Sequence, residues 1–155
     1  MSGLTNNQLE KIAKKYLGKH FLGVYPCDAS PKIGKNIKKM SIIFNLSKHD
    51  EPGSHYVAVI RKKNSIYYFD SYGKKLTNFH IKMFLHQFGL KIFYHTQQIQ
   101  ARNSIFCGFY CLAYLIFVTK KFKTSFAAFF NMFNTPPNKE NDDIVTQFIL
   151  KNKPV

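Results

Sequence analysis

The sequence predicts an α+β domain, a mostly antiparallel sheet packed on a central buried helix that carries a candidate nucleophile. Three observations predict it. Cys107 to Val118 is apolar around its whole circumference, the pattern of a helix enclosed by the rest of a fold. Two β-prone runs, His55 to Ile60 and Ser65 to Asp70, flank the polar stretch Arg61-Lys62-Lys63-Asn64 and read as a hairpin. Segments of helical and strand character share 155 residues, 45% of them hydrophobic and 16% aromatic, with no repeat or low-complexity linker. That length and apolar content suit one domain, 1–155, with a real core.

The elements follow in order. Thr5-Asn6-Asn7-Gln8 is a capping box, with Leu4 spaced to staple against Leu9. Leu9, Ile12, Ala13, Tyr16 and Leu17 then recur at helical spacing, and Gly18 supplies the stop. Gly23 to Gly34, rich in Gly, Pro and Asp, reads as a loop, and Ser41 to Leu46 as a strand. Ser71-Tyr72-Gly73 ends the hairpin. Ile81, Phe84, Leu85 and Phe88 mark a second amphipathic helix stopped by Gly89, and Leu90 to Thr96 alternates like a strand. After the central helix come two shorter helices, Phe126 to Phe133 and Ile144 to Leu150, split by Pro136 and Pro137.

Charge is the loudest compositional feature. Twenty-three Lys and Arg against eight Asp and Glu give a net +15, spread from Lys11 through Lys35, Lys39 and Arg61 to Lys121 and Lys123. An excess of this size attracts polyanions without reading base sequence, so non-specific DNA contact is expected. A solubilising surface is the plainer reading. No helix-turn-helix, zinc-finger or aromatic RNA-binding motif accompanies the charge. The most apolar run is too short to span a membrane, and Met1 to Gln8 is too polar for a secretory signal. Three cysteines, an odd number, point to a reducing setting in which a thiol is available as a reagent.

Cys107 stands where such a thiol would be used. Asn103 or Ser104 is placed to cap the buried helix, which puts Cys107 in its first turn. There the helix dipole and free backbone N–H groups favour the thiolate. Gly108 leaves room beside it for a substrate backbone, and Cys111, one turn on, reads as a small buried hydrophobe. A zinc reading fails on spacing: Cys107 and Cys111 offer two ligands, with only Cys27 and His20 as remote candidates. P-loop and dinucleotide fingerprints are absent.

The hairpin offers a base. A loop of Lys62 and Lys63 alone would set His55 directly across from Asp70, with Cβ atoms about 4.5–5.5 Å apart. Asp70 would then accept the Nδ1 proton and leave Nε2 as the base. A three-residue loop including Asn64 would send the two residues to opposite faces unless a bulge restored the match. Gln100, before the helix, could swing its amide beside Cys107 and donate to an oxyanion together with the Cys107 backbone N–H. Each of these residues alone has a plainer role, in the core or in solvent. Asp28 is a candidate neighbour of the site, while His20, His49, His80, His86 and His95 read as structural or surface residues.

In their order these pieces resemble the adenovirus maturation protease family, in the clan it shares with ubiquitin-like-protein proteases. The residues that carry the resemblance are Gly53-Ser54-His55-Tyr56-Val57-Ala58-Val59 and Tyr68-Phe69-Asp70-Ser71-Tyr72-Gly73, then Gln100-x-x-Asn103-Ser104 and Cys107-Gly108-x-x-Cys111. Phe21-Leu22-Gly23-Val24-Tyr25 is similar to the family's N-terminal loop, and the likeness runs from about Leu9 to Val118. The resemblance implies a cysteine endopeptidase with Cys107 as nucleophile, His55 as base, Asp70 orienting it and Gln100 at the oxyanion. It implies cleavage of precursor capsid and core proteins at Gly-Gly or Gly-X sites, within the virion and the nucleus or cytoplasmic virus factory of a host cell. A monomer, no certain cofactor, and DNA as an activating polyanion complete the expectation.

The sequence also departs from the family. Asp70 replaces a Glu, as is usual in the ubiquitin-like-protein proteases, and Tyr56 stands where Trp is common and is expected to cap the histidine. The stretch Phe88 to Gln98 holds no cysteine for the family's disulfide-linked peptide. Two alternatives stay open: a deubiquitinase or deSUMOylase of the same clan, and a basic nucleic-acid-binding protein that is not an enzyme.

Overall fold

The computed structural model describes residues 3–34, 36–120 and 125–154, so Lys35, Lys121 and Lys123 lie outside it. Helix α1 (Asn6–Leu17) starts at the expected capping box: Gln8 N–H donates to the Thr5 hydroxyl, and Thr5 N–H donates to the Gln8 side chain. It buries Leu9, Ala13 and Leu17 and ends at Gly18, whose φ of 75° only glycine adopts cheaply.

Five strands form one sheet in the order β1 (Phe21–Pro26), β2 (Met40–Asn45), β3 (Tyr56–Lys62), β4 (Ser65–Phe69) and β5 (Lys91–Tyr94). The α+β class stands, but the sheet is mixed rather than mostly antiparallel. β2–β3 and β3–β4 are antiparallel, while β1–β2 and β4–β5 are parallel. Both parallel pairs are joined by connections longer than the roughly dozen residues a crossover needs, the second through α2 (Phe79–His86).

β1 corrects the reading of Gly23 to Gly34 as a loop from its first residue. The strand carries a bulge between Phe21 and Gly23, where Gly23 takes a φ of 139°. The Val24 N–H donates to Glu10 Oε1 at 2.8 Å, and a Cβ on Gly23 would lie 2.4 Å from that oxygen. The bulge breaks the period-2 pattern by which a strand is recognised.

The hairpin turns at Lys63 and Asn64, since Lys62 pairs with Ser65 and Ala58 with Phe69. Lys63 takes a left-handed φ of 53°. Neither expected loop is the one found. The register is shifted by two from the first alternative, so the parity that keeps His55 and Asp70 on one side of the hairpin survives.

Alternation along the strands divides the core. Ile43, Ala58, Ile60 and Phe69 face α1, α3 (Cys107–Lys120), α4 (Phe126–Phe130) and α5 (Glu140–Lys151). Ile42, Phe44, Val57, Val59 and Tyr68 face Ile81, Phe84 and Leu85 of α2. α3 is the central helix expected, buried along its length except at Phe109 and its last two residues, Thr119 and Lys120. α4 stops at Phe130 and α5 begins at Glu140, earlier than the Ile144 that hydrophobic periodicity marks. No helix among the described residues is long and apolar enough to cross a membrane.

Candidate active site

Each site residue sits where an element begins or ends. His55 immediately precedes β3, and its carbonyl accepts from Leu46 N–H at 2.8 Å, which extends the β2–β3 pairing to the histidine. Asn45, buried at the end of β2, accepts from Ser47 N–H and Ser54 N–H and so fixes both ends of the loop before His55. Asp70 follows β4 in a turn closed by Gly73 N–H to the Asp70 carbonyl at 2.8 Å. Cys107 is the first residue of α3 and is 8% exposed. Gln100, 1% exposed, ends a segment pinned to the hairpin by the N–H groups of Ile99 and Gln100 on the Ser71 carbonyl.

The structure brings all four predicted residues together. His55, Gln100 and Cys107 line one cavity of about 660 Å³, and Asp70 stands behind His55. The imidazole Nε2 lies 2.9 Å from Asp70 Oδ1, which also accepts the Tyr72 N–H at 2.8 Å. The expected nitrogen roles are therefore exchanged. Asp70 holds Nε2, and the nitrogen left for chemistry is Nδ1. Counted on from the last pair, Ala58 with Phe69, the register sets Asp70 diagonal to His55 and not opposite it. Tyr72 takes the opposite place and stacks on the imidazole, with centroids 4.8 Å apart and 25° between planes.

That stack corrects the role given to Tyr56. Its hydroxyl lies 2.7 Å from Asn6 Oδ1 and 3.0 Å from the Leu4 carbonyl and shares its one proton between them, tying the start of α1 against the site. Residues Gly3 to Asn6 consequently form a wall of the cavity. Burial and the nearby Cys107 push the Tyr56 phenol up to about 12. Gly108 keeps the start of α3 close to this wall, since a Cβ there would lie 3.1 Å from Leu9 and 3.4 Å from Tyr56.

Electrostatics converge on His55. Burial opposes its charge, but the hydrogen bonds and charges of Asp70 and Cys107 outweigh burial and raise the imidazole from 6.5 to about 9. An imidazole so held stands beside the Cys107 thiol as a proton acceptor and donor for the sulfur. Cys111 behaves otherwise: fully buried, its thiol is pushed well above the ordinary range, first by burial and then by Cys107. It is a core residue, as read from its spacing.

Gln100 is held by both ends of its amide. Its Oε1 accepts from the Ser71 hydroxyl, and its Nε2 donates to Ser104 O at 3.0 Å and Ser104 Oγ at 3.2 Å. Ser104 caps the approach to α3 by accepting from Phe106 N–H at 3.1 Å, and its hydroxyl donates to Asp142 Oδ1 at 2.8 Å. Sequence reasoning missed Asp142. The available signal was scarcity: the chain has eight acidic residues, and three stand in the first turn of α5, where a dipole role explains them equally well.

The remaining candidates fall outside the centre. His49, at the cavity rim, pairs through Nδ1 with Asp28, and the hydrogen bond raises the histidine and lowers the carboxyl. Asp28, His49 and Asp50 bring ligand-type atoms within 4.8 Å of one another, the one such set among the described residues. It includes no cysteine, so a metal reading has no link to Cys107 or Cys111. His95 is packed among Phe69, Phe126 and Phe130 and hydrogen-bonded to the Tyr114 hydroxyl at 2.7 Å; burial lowers it to about 4. A scan of protein-family models and a search of curated proteins find no match to the chain.

Proposed function

We propose that the chain is a cysteine endopeptidase of the adenovirus maturation protease type, cutting precursor capsid and core proteins at Gly-Gly or Gly-X sites. The observation that carries this reading is His55, held by Asp70 on one nitrogen and neighboured by the Cys107 thiol at the start of a buried helix. Cys107 Sγ attacks the scissile carbonyl carbon. The tetrahedral oxyanion takes hydrogen bonds from the Cys107 backbone N–H and from the Gln100 N–H that otherwise reaches Ser104 Oγ, while the other N–H stays on the Ser104 carbonyl. The His55 imidazolium gives its proton to the leaving amine as the C–N bond breaks, leaving a thioester on Cys107. Neutral His55 then takes a proton from water, whose oxygen attacks the thioester; the C–S bond breaks, the carboxylic acid product leaves, and His55 returns the proton to the Cys107 sulfur. Asp70 keeps the ring oriented throughout and stabilises its charged form.

Small residues at the cleaved bond suit a cavity walled by Gly3 to Asn6 on one side and Gly53 to Tyr56 on another. The net +15 makes DNA the candidate activating polyanion. The test is hydrolysis of a fluorogenic peptide ending in Gly-Gly by the wild type and by Cys107→Ala, with and without duplex DNA. Activity abolished in Cys107→Ala and raised by DNA is expected. Equal signal in both proteins would sink the reading. Rapid labelling of Cys107 by a ubiquitin- or SUMO-based probe, with the peptide left uncut, would reassign the substrate to host conjugates.

A further inference from the structure

We propose that Asp142 is a positioning residue for the oxyanion hole, reinforcing through the Ser104 hydroxyl the orientation in which the Gln100 amide nitrogen faces Ser104; this rests on the protease reading. The argument is one of donors and acceptors. A carboxylate only accepts, so the Ser104 hydroxyl must donate its single proton to Asp142 Oδ1, 2.8 Å away. Ser104 Oγ can then only accept from its other neighbours, Phe106 N–H at 3.1 Å and Gln100 at 3.2 Å. The end of Gln100 facing Ser104 is thereby its NH2, and the Ser104 carbonyl at 3.0 Å accepts from the same nitrogen. Its carbonyl end is turned to the Ser71 hydroxyl, which donates to it.

Without Asp142 the Ser104 proton is free to rotate towards Gln100, and only the Ser104 carbonyl is left to hold the amide nitrogen on that side. An inverted amide presents an oxygen to the oxyanion, which is repulsive where stabilisation is needed. Asp142 is fixed independently of this relay. The Tyr110 hydroxyl donates to the same Oδ1 at 2.8 Å, and the adjacent Asn141, fully buried, donates to the Ile99 carbonyl at 2.8 Å. The first turn of α5 therefore grips the Gln100 segment at both of its ends.

The test separates oxyanion chemistry from thiol chemistry, because alkylation of Cys107 by iodoacetamide forms no oxyanion. Asp142→Ala should lower kcat for peptide hydrolysis about 10- to 100-fold. KM and the Cys107 alkylation rate should stay within about twofold, since neither uses the amide. Asp142→Asn, which keeps an acceptor oxygen, should recover most of the rate. Asp142→Ala combined with Gln100→Ala should be no slower than Gln100→Ala alone. Should Asp142→Ala fail to fold, Ser104→Ala removes the same hydroxyl link and carries the same expectation. Equal losses in hydrolysis and alkylation, additive losses in the double variant, or an unchanged kcat would each overturn the proposal while leaving the protease reading intact. A wild type that cuts no peptide and is alkylated no faster than a free cysteine would overturn the protease reading, and this inference with it.

Discussion

On the proposed protease reading the His55 side chain concentrates the chemistry, and its charge makes a pH prediction. The imidazole is raised from 6.5 to about 9 despite its burial, through Asp70 and Cys107. Hydrolysis should therefore hold through neutral pH and fall as pH rises through about 9, where the imidazolium that protonates the leaving amine is lost. Asp70→Asn removes the leading raising influence, so this alkaline limb should move towards neutral pH; a pH–rate profile of both proteins reads it. The same shift affects stability. The charged form is favoured by folding, so its contribution, on the order of 3 kcal/mol, is complete below about 6.5 and lost as pH rises through about 9. A limb that stayed fixed in Asp70→Asn would detach Asp70 from the mechanism. At this scale the sequence announces identities better than geometry. His55, Asp70, Gln100 and Cys107 are legible as residue types in order, but which imidazole nitrogen meets which partner depends on a register no motif specifies. Asp142 was hidden for a related reason: its role depends on the orientation of a neighbour's proton.

At the scale of elements, the turn after β4 is the least forgiving. Gly73 closes it with a φ of 73°, and a Cβ there would lie 2.6 Å from the Thr96 carbonyl oxygen and 2.9 Å from its carbon. Both the dihedral and the backbone contact oppose a side chain, and neither can be relieved by rotating a flexible group. Gly73→Ala is expected to cost more than about 2 kcal/mol, measured as a lowered urea midpoint with unchanged slope. It should also lower peptide hydrolysis, because the same turn holds Asp70 and abuts the segment leading to Gln100. Wild-type stability in this variant would mean the 96–97 backbone yields. Helices α1 and α3 were legible because capping chemistry and all-round apolarity are local signals. β1 was not, because its bulge at Gly23 is set by Glu10, far away in the chain. The start of α5 was obscured as well: Glu140-Asn141-Asp142-Asp143 is wholly polar, and Lys139 offers no side-chain cap to announce it. The residues that extend this helix are the ones that hold the Gln100 segment, and polar contacts of that kind leave no hydrophobic period to read.

For the whole molecule, the sheet connects two unlike surfaces. β3 starts beside His55 and runs about 20 Å to a second cavity, of about 430 Å³, bordered by His20, Lys39, Arg61, Lys62 and Lys63. The mixed topology, invisible in the sequence, produces this by setting the end of β3 beside the end of α1 and the residue before β2. Net charge alone says that polyanions are attracted; the fold says that cations gather at the end of β3 away from Cys107. Crowding of Lys62 by its burial and by Lys39 lowers its ammonium to about 8, so an anion arriving there would relieve repulsion as well as gain contacts. If DNA acts through this end, binding and peptide chemistry are separable. Replacing the exposed Lys39 and Lys63, which border this cavity, with Glu should reduce duplex affinity at least about fivefold at low salt and flatten its dependence on log salt by about two. Peptide hydrolysis without DNA should remain within about twofold, while the increment that DNA adds should vanish. Fluorescence anisotropy across a salt series, paired with the peptide assay, measures both. An unchanged affinity would return these lysines to solubility alone. A lost basal rate would mean that this end and the Cys107 end are mechanically coupled along β3.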